Sequence, residues 1–237
     1  MKNILHLACF MAFALLFTCS INGNAQLIYT IAGNGSAGFS YDGIPATSSK
    51  LNSPRAVSFD VSGNMYIADW YNNRIRIVNT SGIINTFAGN GTAGYTTDGI
   101  AATASELNQP ADVAVDASGN VYIADRNNNR VRKVTASGTI STIAGTGSAG
   151  YTADGIAATA SALNLPWGVA VDGSGNVYIA DGSNNRVRKV NTSGIITTIA
   201  GGGRKWLYNK WHCGNRFAIR SPYKCGRGCF RQYLHCL

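Results

Sequence analysis

The sequence predicts an all-β fold built from repeated four-stranded units. The chain of 237 residues contains one 56-residue unit three times, over residues 31–86, 87–142 and 143–198. The second and third copies are identical at 41 of 56 positions. Each copy holds four short apolar segments separated by turn-forming Gly, Asn and Asp residues. A strict period of this length is typical of modular arrays, and four antiparallel strands per unit form one blade of a β-propeller.

The third copy illustrates the four predicted strands. In Gly168–Asp172 the Val and Ala positions alternate, and a Gly- and Asn-rich turn follows. Val177–Asp181 is rich in residues that favour strands, and Arg186–Val190 alternates charged with apolar side chains. The fourth strand, Ile195–Ala200, ends at Gly201. The pattern therefore predicts a meander of four antiparallel strands in every unit.

A long connection joins the fourth strand of one unit to the first strand of the next. In the second copy it covers residues 89–110 and includes an Ala-rich stretch that favours one or two helical turns. Connections of this length without strands are uncommon and are often functional. All three copies are expected on one face of the molecule, because they join equivalent strand ends.

Three short motifs resemble the NHL repeat. In the second copy they are Val113–Asp116, Gly119–Asp125 and Asn129–Val134, and the other copies match in phase. The first copy departs slightly, with Ser58, Phe59 and Met65 at strand positions. The resemblance covers residues 27–201, and the long connection is similar to that of exported bacterial proteins and some large cell-surface proteins. It implies a β-propeller of NHL blades used mostly for binding.

The first 25 residues resemble a secretory signal peptide. Lys2 precedes the apolar run Ile4–Phe17, and Gly23–Ala25 supplies small residues before a cut at Gln26. The apolar run is short for a membrane span, so we expect no transmembrane segment. Lipidation at Cys19 is the alternative, although Thr18 is larger than such sites usually tolerate. The chain is therefore expected to be secreted, periplasmic or held at the cell surface.

The net charge of +9 lies almost wholly outside the repeats. Residues 26–203 contain 11 basic and 11 acidic side chains, whereas residues 204–237 contain eight basic ones and no acid. A neutral repeat body lacks the positive surface that phosphate backbones require, so we expect no nucleic-acid partner. The same residues 26–203 contain neither Cys nor His, which excludes disulfides and Cys/His zinc sites there.

Residues 204–237 break the pattern abruptly. Cys213, Cys225, Cys229 and Cys236, with two His residues, allow a metal or disulfide interpretation. A second hypothesis is that this tail is a fourth repeat translated out of frame and disordered. Read one base downstream, the Trp206 codon together with the first base of the Leu207 codon gives Gly, at the position of Gly150. The Trp211 codon together with the first base of the His212 codon also gives Gly, at the position of Gly155. We favour the frameshift, which gene sequencing tests directly, and expect no metal and no cofactor.

The predicted propeller is incomplete. Leu27–Ile31 matches the fourth strand of a unit and stands alone, so the chain offers three blades plus one N-terminal strand. Propellers close with about four to eight blades, and open blade edges promote association. Self-association through these edges is therefore expected.

Positions that differ between copies are the strongest candidates for ligand binding, because a repeat scaffold repeats the residues that pack. Trp70 and Arg126 occupy one such position, where the third copy has Gly182. Arg55 and Trp167 occupy another, where the second copy has Ala111. Trp and Arg are also the residues most enriched at binding hot spots.

Other candidates recur in every copy. Phe39, Tyr95 and Tyr151 precede an Asp-Gly pair in the connections, and either stack on a ligand or pack the loop onto the sheet. Asp42, Asp98 and Asp154 of those pairs suggest Ca²⁺ or, as we favour, turn formation. Asp69, Asp125 and Asp181 lie five residues before an Arg and either form a polar ring or accept backbone N–H groups in a turn. The recurrence favours the second interpretation.

The composition argues against catalysis. The body has Glu106 as its single glutamate and no His, so general acid–base chemistry would rest on Asp or Tyr. We therefore predict a non-enzymatic binding or scaffold module for a protein or carbohydrate ligand. A propeller-type lyase or hydrolase whose catalytic blade is missing is the alternative, and a truncated product without function is a third possibility.

Overall fold

A computed structural model describes residues 27–202, which form three antiparallel sheets, one per repeat. The strands of the first sheet are β1 (Ile44–Pro45), β2 (Pro54–Phe59), β3 (Met65–Asp69), β4 (Arg74–Val78) and β5 (Ile83–Ala88). Those of the second are β6 (Ile100–Ala101), β7 (Pro110–Val115), β8 (Val121–Asp125), β9 (Arg130–Val134) and β10 (Thr139–Ala144). Those of the third are β11 (Ile156–Ala157), β12 (Pro166–Val171), β13 (Val177–Asp181), β14 (Arg186–Val190) and β15 (Ile195–Ala200).

Each sheet has one more strand than the repeat pattern predicts. The order in the first sheet is β1-β5-β4-β3-β2, and the other two sheets repeat it. The four predicted strands are present, and the extra one is a two-residue strand that pairs outside the fourth. The Ala-rich stretches form only single 3-10 turns, at Ala46–Ser48, Ala102–Ala104 and Ala158–Ala160. The connection thus adds an edge strand to its own blade before it crosses to the inner strand.

A second set of 3-10 turns joins the two central strands of each blade. These turns are Trp70–Asn72, Arg126–Asn128 and Gly182–Asn184. Each is followed by an Asn in the left-handed conformation, which Asn tolerates better than most side chains. Because Asp69 at the end of β3 pairs with Pro54 at the start of β2, this turn and the start of the inner strand lie at the same end of the blade and therefore on the same face of the propeller. The long connections arrive at the same face, which we call the connection face.

The three blades pack face to face through their inner strands. β2 contacts β7, and β7 contacts β12. An apolar core fills each junction: Tyr66, Ala68 and Ile75 of the first blade meet Val113 and Ile123 of the second. The equivalent residues repeat this core between the second and third blades. The architecture is therefore an all-β propeller segment of three blades.

The blade junctions also contain a backbone contact. Gly145 has a φ of +95°, and a Cβ added to it would overlap the carbonyl oxygen of Asn129. The side chain of Asn129 accepts a hydrogen bond from the Leu165 backbone N–H at 2.9 Å and donates one to the Gly147 carbonyl at 3.2 Å. These contacts fasten each connection to the preceding blade and thereby fix the connection face.

Several predictions fall at or beyond the ends of the described residues. Leu27–Ile31 joins none of the three sheets, and Ile28 is 97% exposed. The strands that this segment would pair with are not among residues 27–202. The proposed signal peptide, Cys19 and the tail that begins at residue 204 lie outside the described range. No helix within it is long and apolar enough to span a membrane.

Candidate functional site

Four of the six predicted binding residues form one cluster on the connection face. The indole rings of Trp70 and Trp167 stack with centroids 5.4 Å apart and an interplanar angle of 15°. The Arg126 guanidinium carbon lies 4.1 Å from the centroid of Trp167 and 5.2 Å from that of Trp70. The Arg55 guanidinium carbon lies over the other indole, 4.5 Å from the Trp70 centroid. Residues from all three blades thus meet at one place, which we call the Trp–Arg cluster.

The shared architecture of the blades explains why these residues meet. Trp70 and Arg126 begin equivalent 3-10 turns, whereas Arg55 and Trp167 are the second residues of the inner strands β2 and β12. Inner strands of neighbouring blades lie side by side, so their starts converge. In the third blade the turn begins with Gly182, and any Cβ there would overlap the Trp167 ring. The single Gly at this position therefore makes room for the indole.

Exposure differs within the Trp–Arg cluster. Trp70 is only 3% exposed, and its Nε1 has no hydrogen-bond partner among the described residues. Arg126 and Trp167 are half-buried, and Arg55 is exposed. The Arg126 Nη1 donates a hydrogen bond to the Asn127 side chain at 2.7 Å. The cluster therefore combines guanidinium groups with aromatic rings, which suits binding rather than proton transfer.

Asp112, which the sequence comparison did not select, links two blades beside the cluster. It lies on the inner strand β7, and its carboxylate accepts hydrogen bonds from the backbone N–H of Val169, at 2.8 Å, and of Val113, at 2.9 Å. Burial raises the pKa of this carboxyl above its usual value, although the two hydrogen bonds act to lower it. The equivalent residues are Ala56 and Gly168, so the rule of non-repeated positions would have found Asp112.

The other two predicted binding residues, Tyr95 and Tyr151, lie apart from the Trp–Arg cluster. Arg130 stacks 3.8 Å from the Tyr95 centroid, and Arg132 lies 4.8 Å from it. Tyr151 and Phe39 have the same pair of guanidinium neighbours in their own blades. Each ring is about two-fifths exposed. The geometry supports their alternative role of packing the connection against the sheet.

The repeated aspartates at the strand ends hold the connection in place. Asp125 is fully buried and accepts hydrogen bonds from the Asn108 backbone N–H at 2.8 Å and the Asn128 side chain at 2.7 Å. Asp69 and Asp181 make the same two contacts. Burial raises the pKa of Asp125 to about 6, against these hydrogen bonds and the charge of Arg132. The backbone N–H group belongs to a residue 17 positions earlier in the chain and not to the turn that follows the strand. The aspartate therefore accepts a tertiary hydrogen bond where the sequence predicted one within the turn.

The aspartates of the connections make ion pairs. Asp98 accepts a hydrogen bond from Nη2 of the fully buried Arg132 at 2.9 Å and from the Thr142 hydroxyl at 3.1 Å. Asp42 pairs with Arg76, and Asp154 with Arg188, in the same way. Among the described residues no group of three or more His, Cys, Asp or Glu side chains is arranged to hold a metal ion. These carboxylates thus neutralise one buried arginine per blade.

The family comparisons agree with this architecture. A model of the NHL repeat matches residues 107–134, and a model of the teneurin NHL domain matches residues 147–222. The repeats, the three sheets and these matches define a β-propeller segment. The repeats of the chain match the NHL repeat.

Individual relatives point the same way. Teneurin-1 of Gallus gallus is 30% identical over 205 residues, and Teneurin-1 of Homo sapiens is 28% identical over 198 residues. Both alignments cover 76% of this chain and 7% of the relative, so the chain spans a small part of these proteins. A solved protein of unknown function from Bacteroides thetaiotaomicron superposes with a TM-score of 0.50 at 23% identity, covering 65% of this chain and 38% of that one. This structural likeness concerns the fold.

Proposed function

We propose that the chain is a non-enzymatic binding module that presents the connection face to a protein or carbohydrate ligand. The observation that carries the proposal is the Trp–Arg cluster, because it gathers the non-repeated residues Trp70, Arg126 and Trp167 from three separate blades. Residues that serve the blade recur in every copy, whereas these do not. Stacked Trp and Arg side chains at the centre of a face are typical of binding hot spots.

The chemistry of the described residues supports binding over catalysis. Catalytic sites place a nucleophile or a titratable side chain where a substrate can reach it. Here the carboxylates with raised pKa values, such as Asp125 and Asp112, are held by backbone N–H groups. Export from the cytoplasm is part of the proposal, and it rests on the sequence of the first 25 residues.

We also propose that copies of the chain associate through their open blade faces. The inner-strand residue Val57 is 57% exposed, whereas its equivalents Val113 and Val169 are 3% and 7% exposed at the blade junctions. The opposite end shows the same difference, since Ala180 is exposed and its equivalents Ala68 and Ala124 are buried. A second copy fits this surface, because each blade already packs on its own repeat.

A panel of immobilised peptides and oligosaccharides tests the binding function. The full chain is compared with Arg126→Ala and Trp167→Ala, and Lys50→Ala serves as the control because Lys50 is exposed on the first connection and outside the cluster. We expect at least one class of ligand to bind the wild-type chain and the control and to be lost from both cluster variants. Binding that survives both substitutions, or no binding anywhere on the panel, would contradict the proposal.

A further inference from the structure

We infer that residues 27–32 of one molecule replace β15 in the third blade of a second molecule, so that molecules associate by exchanging a strand. The inference rests on the proposed self-association and adds the segment that passes between molecules. It follows from the sequence of this segment, from the burial of its equivalents and from the conformation of the first connection.

The segment before the first connection has the sequence of a fourth strand. Five of the seven residues 27–33 are identical to those of β15 and the Gly that follows it. The two differences, Leu27 for Ile195 and Tyr29 for Thr197, keep an apolar residue at one position and a strand-favouring residue at the other. The segment can therefore make the backbone pairs of β15 and fill the same apolar space.

Burial shows what this segment lacks in a single molecule. Ile28 is 97% exposed, whereas the equivalent residue of every blade is 0% exposed. These equivalents are Ile84, Ile140 and Ile196. Among the described residues no strand is free to pair with the segment, because β4, β9 and β14 each already pair with a fourth strand. A second molecule is therefore the source of its partner strand.

The third blade is the one that can release its fourth strand. β5 and β10 each run into a connection that bonds to the next blade, so neither can leave without opening a junction. No further blade follows β15 among the described residues. Ile199 of β15 is accordingly 51% exposed, whereas its equivalents Phe87 and Ile143 pack against the junction cores. β15 is therefore the least buried of the three long fourth strands.

The first connection has the conformation of a connection that follows a blade. The Gly after each fourth strand lies against an Asn carbonyl oxygen of the same blade, with φ between +88° and +95°. Gly33 has the same conformation, with a φ of +91°, but a Cβ there would meet only the Leu51 side chain, at 3.5 Å. In the exchanged blade Gly33 would lie against the carbonyl oxygen of Asn185, which is the Asn of the third blade.

Ser53 also has the conformation of a junction residue. Its φ of +55° is close to the +52° of Gln109 and the +51° of Leu165 at the equivalent positions. The N–H groups of Gln109 and Leu165 bond to the Asn side chain of the preceding blade, at 3.0 Å and 2.9 Å. The Asn185 side chain of a second molecule would accept the Ser53 N–H in the same way. The exchanged segment thus leads into a connection that recreates a junction of the single chain.

Strand exchange also removes a collision between molecules. Gly33 of one molecule and Gly201 of the other require the same place beside the Asn185 carbonyl oxygen. Two molecules therefore form a complete junction only if β15 and Gly201 leave. The leaving and arriving strands have nearly the same sequence, so the exchange itself is close to neutral in free energy. The apolar faces buried at the new junction supply the gain.

Cross-linking with a short bis-maleimide tests the exchange in a mixture of two full-length chains, Tyr29→Cys and Lys189→Cys. Tyr29 is equivalent to Thr197, which pairs with Lys189, and side chains directly opposite in antiparallel strands lie about 4.5–5.5 Å apart. The control mixture uses Lys133→Cys instead, at the equivalent position of the second blade, whose fourth strand stays in place. Peptide mass spectrometry identifies the linked residues. We expect residue 29 to be linked to residue 189 and not to residue 133.

Sedimentation velocity of two lysine variants gives an independent measurement. Ile28→Lys places a charge where the exchanged blade buries the equivalent of Ile196, so it should lower the weight-average mass at high protein concentration. Tyr29→Lys is the matched control, because Thr197 at the equivalent position is exposed. Ile28 and Tyr29 are both exposed in a single molecule, so neither variant should melt below the wild-type temperature.

Each other outcome overturns a defined part of the argument. If residue 29 is not linked to residue 189, or is linked equally to residue 133, no strand is exchanged. An Ile28→Lys mass equal to that of the wild type leads to the same conclusion. If Val57→Lys lowers the mass in either case, the molecules associate through their blade faces alone, and the proposed self-association stands. If the wild-type chain stays monomeric at every concentration, the exchange and the proposed self-association are both wrong.

Discussion

At the scale of single residues, Gly182 decides whether the Trp–Arg cluster can form. A Cβ at this position would overlap Cδ1 of Trp167, although Trp70 and Arg126 occupy the equivalent positions of the other blades. The backbone therefore accepts a side chain in the other two blades, whereas in the third the indole overlaps the Cβ position and the Leu165 carbonyl oxygen lies 3.0 Å from it. Gly182→Ala should displace Trp167 from its stack on Trp70 and change the near-ultraviolet circular dichroism of the two indoles. We expect the free energy of unfolding to change by less than about 1.5 kcal/mol.

Gly173→Ala is the matched control for this substitution. Gly173 lies in a turn of the same blade, and a Cβ there would meet no atom within 4 Å. Its spectrum should match that of the wild type. An unchanged spectrum for Gly182→Ala as well would show that the indole stack does not depend on this glycine.

Asp112 should contribute to stability through the junction between the second and third blades. Asp112→Ala leaves the buried N–H of Val169 without its acceptor, which costs about 1–3 kcal/mol. Asp112→Asn keeps a side-chain oxygen in place and should cost less. Urea denaturation of the three chains measures the difference. Equal midpoints for the wild type and Asp112→Ala would show that this hydrogen bond adds nothing to the junction.

Single residues were predictable from the sequence where the copies differ. Comparing copies selected Trp70, Arg126, Arg55 and Trp167, because packing residues repeat and these do not. The neighbours of Tyr95 were not predictable in this way. The guanidinium groups that cover its ring come from β9, 35 and 37 residues along the chain, and only the path of the connection brings them together. The ligand role of Tyr95 and Tyr151 stays a prediction.

At the scale of the strand and connection, the strand positions were the easier part to predict. The alternation of apolar side chains located all four long strands of the third blade, three of them with the observed bounds. The two-residue strands such as β6 could not be found, because their pairing depends on tertiary contacts. The N–H of Ala102, for example, bonds to the carbonyl of Gly138, 36 residues further along the chain and directly before β10. The Ala-rich stretch forms one 3-10 turn, less than its intrinsic helix propensity would allow.

The junction between a connection and the preceding blade depends on Gly145. This residue has a φ of +95°, and an added Cβ would overlap the backbone of Asn129. Gly145→Ala should lower the free energy of unfolding by several kcal/mol, because about 1–3 kcal/mol of backbone strain adds to the steric overlap. Gly138→Ala separates the two effects, since Gly138 has a φ of +84° and open space around its Cβ position. It should show the strain alone, and equal losses for both variants in urea denaturation would argue against a tight junction.

At the scale of the whole molecule, both ends of the three-blade array expose surfaces that are buried between blades. The residues that fill each junction recur on the outer faces: Tyr178, Ala180 and Val187 match Tyr66, Ala68 and Ile75 of the first junction. In the third blade they are exposed or half-buried, whereas in the first they are buried. The sequence predicted these open faces from the repeat alone, because a junction needs a blade on each side.

Self-association should therefore depend on the exposed inner strand of the first blade. Val57→Lys places a charge on the open face that would meet a second copy, so it should reduce the weight-average mass measured by sedimentation velocity at high protein concentration. Val61→Lys is the matched control. Val61 is 82% exposed, and its equivalents Ala117 and Gly173 are also exposed, so this position lies outside the blade junctions. Val57 is itself 57% exposed, so both variants should melt at nearly the wild-type temperature.

A wild-type chain that stays monomeric at every concentration, or equal masses for the two lysine variants, would show that the open blade faces do not hold copies together. A mass that falls only for Val57→Lys would identify the blade junction as the surface through which one copy packs on another.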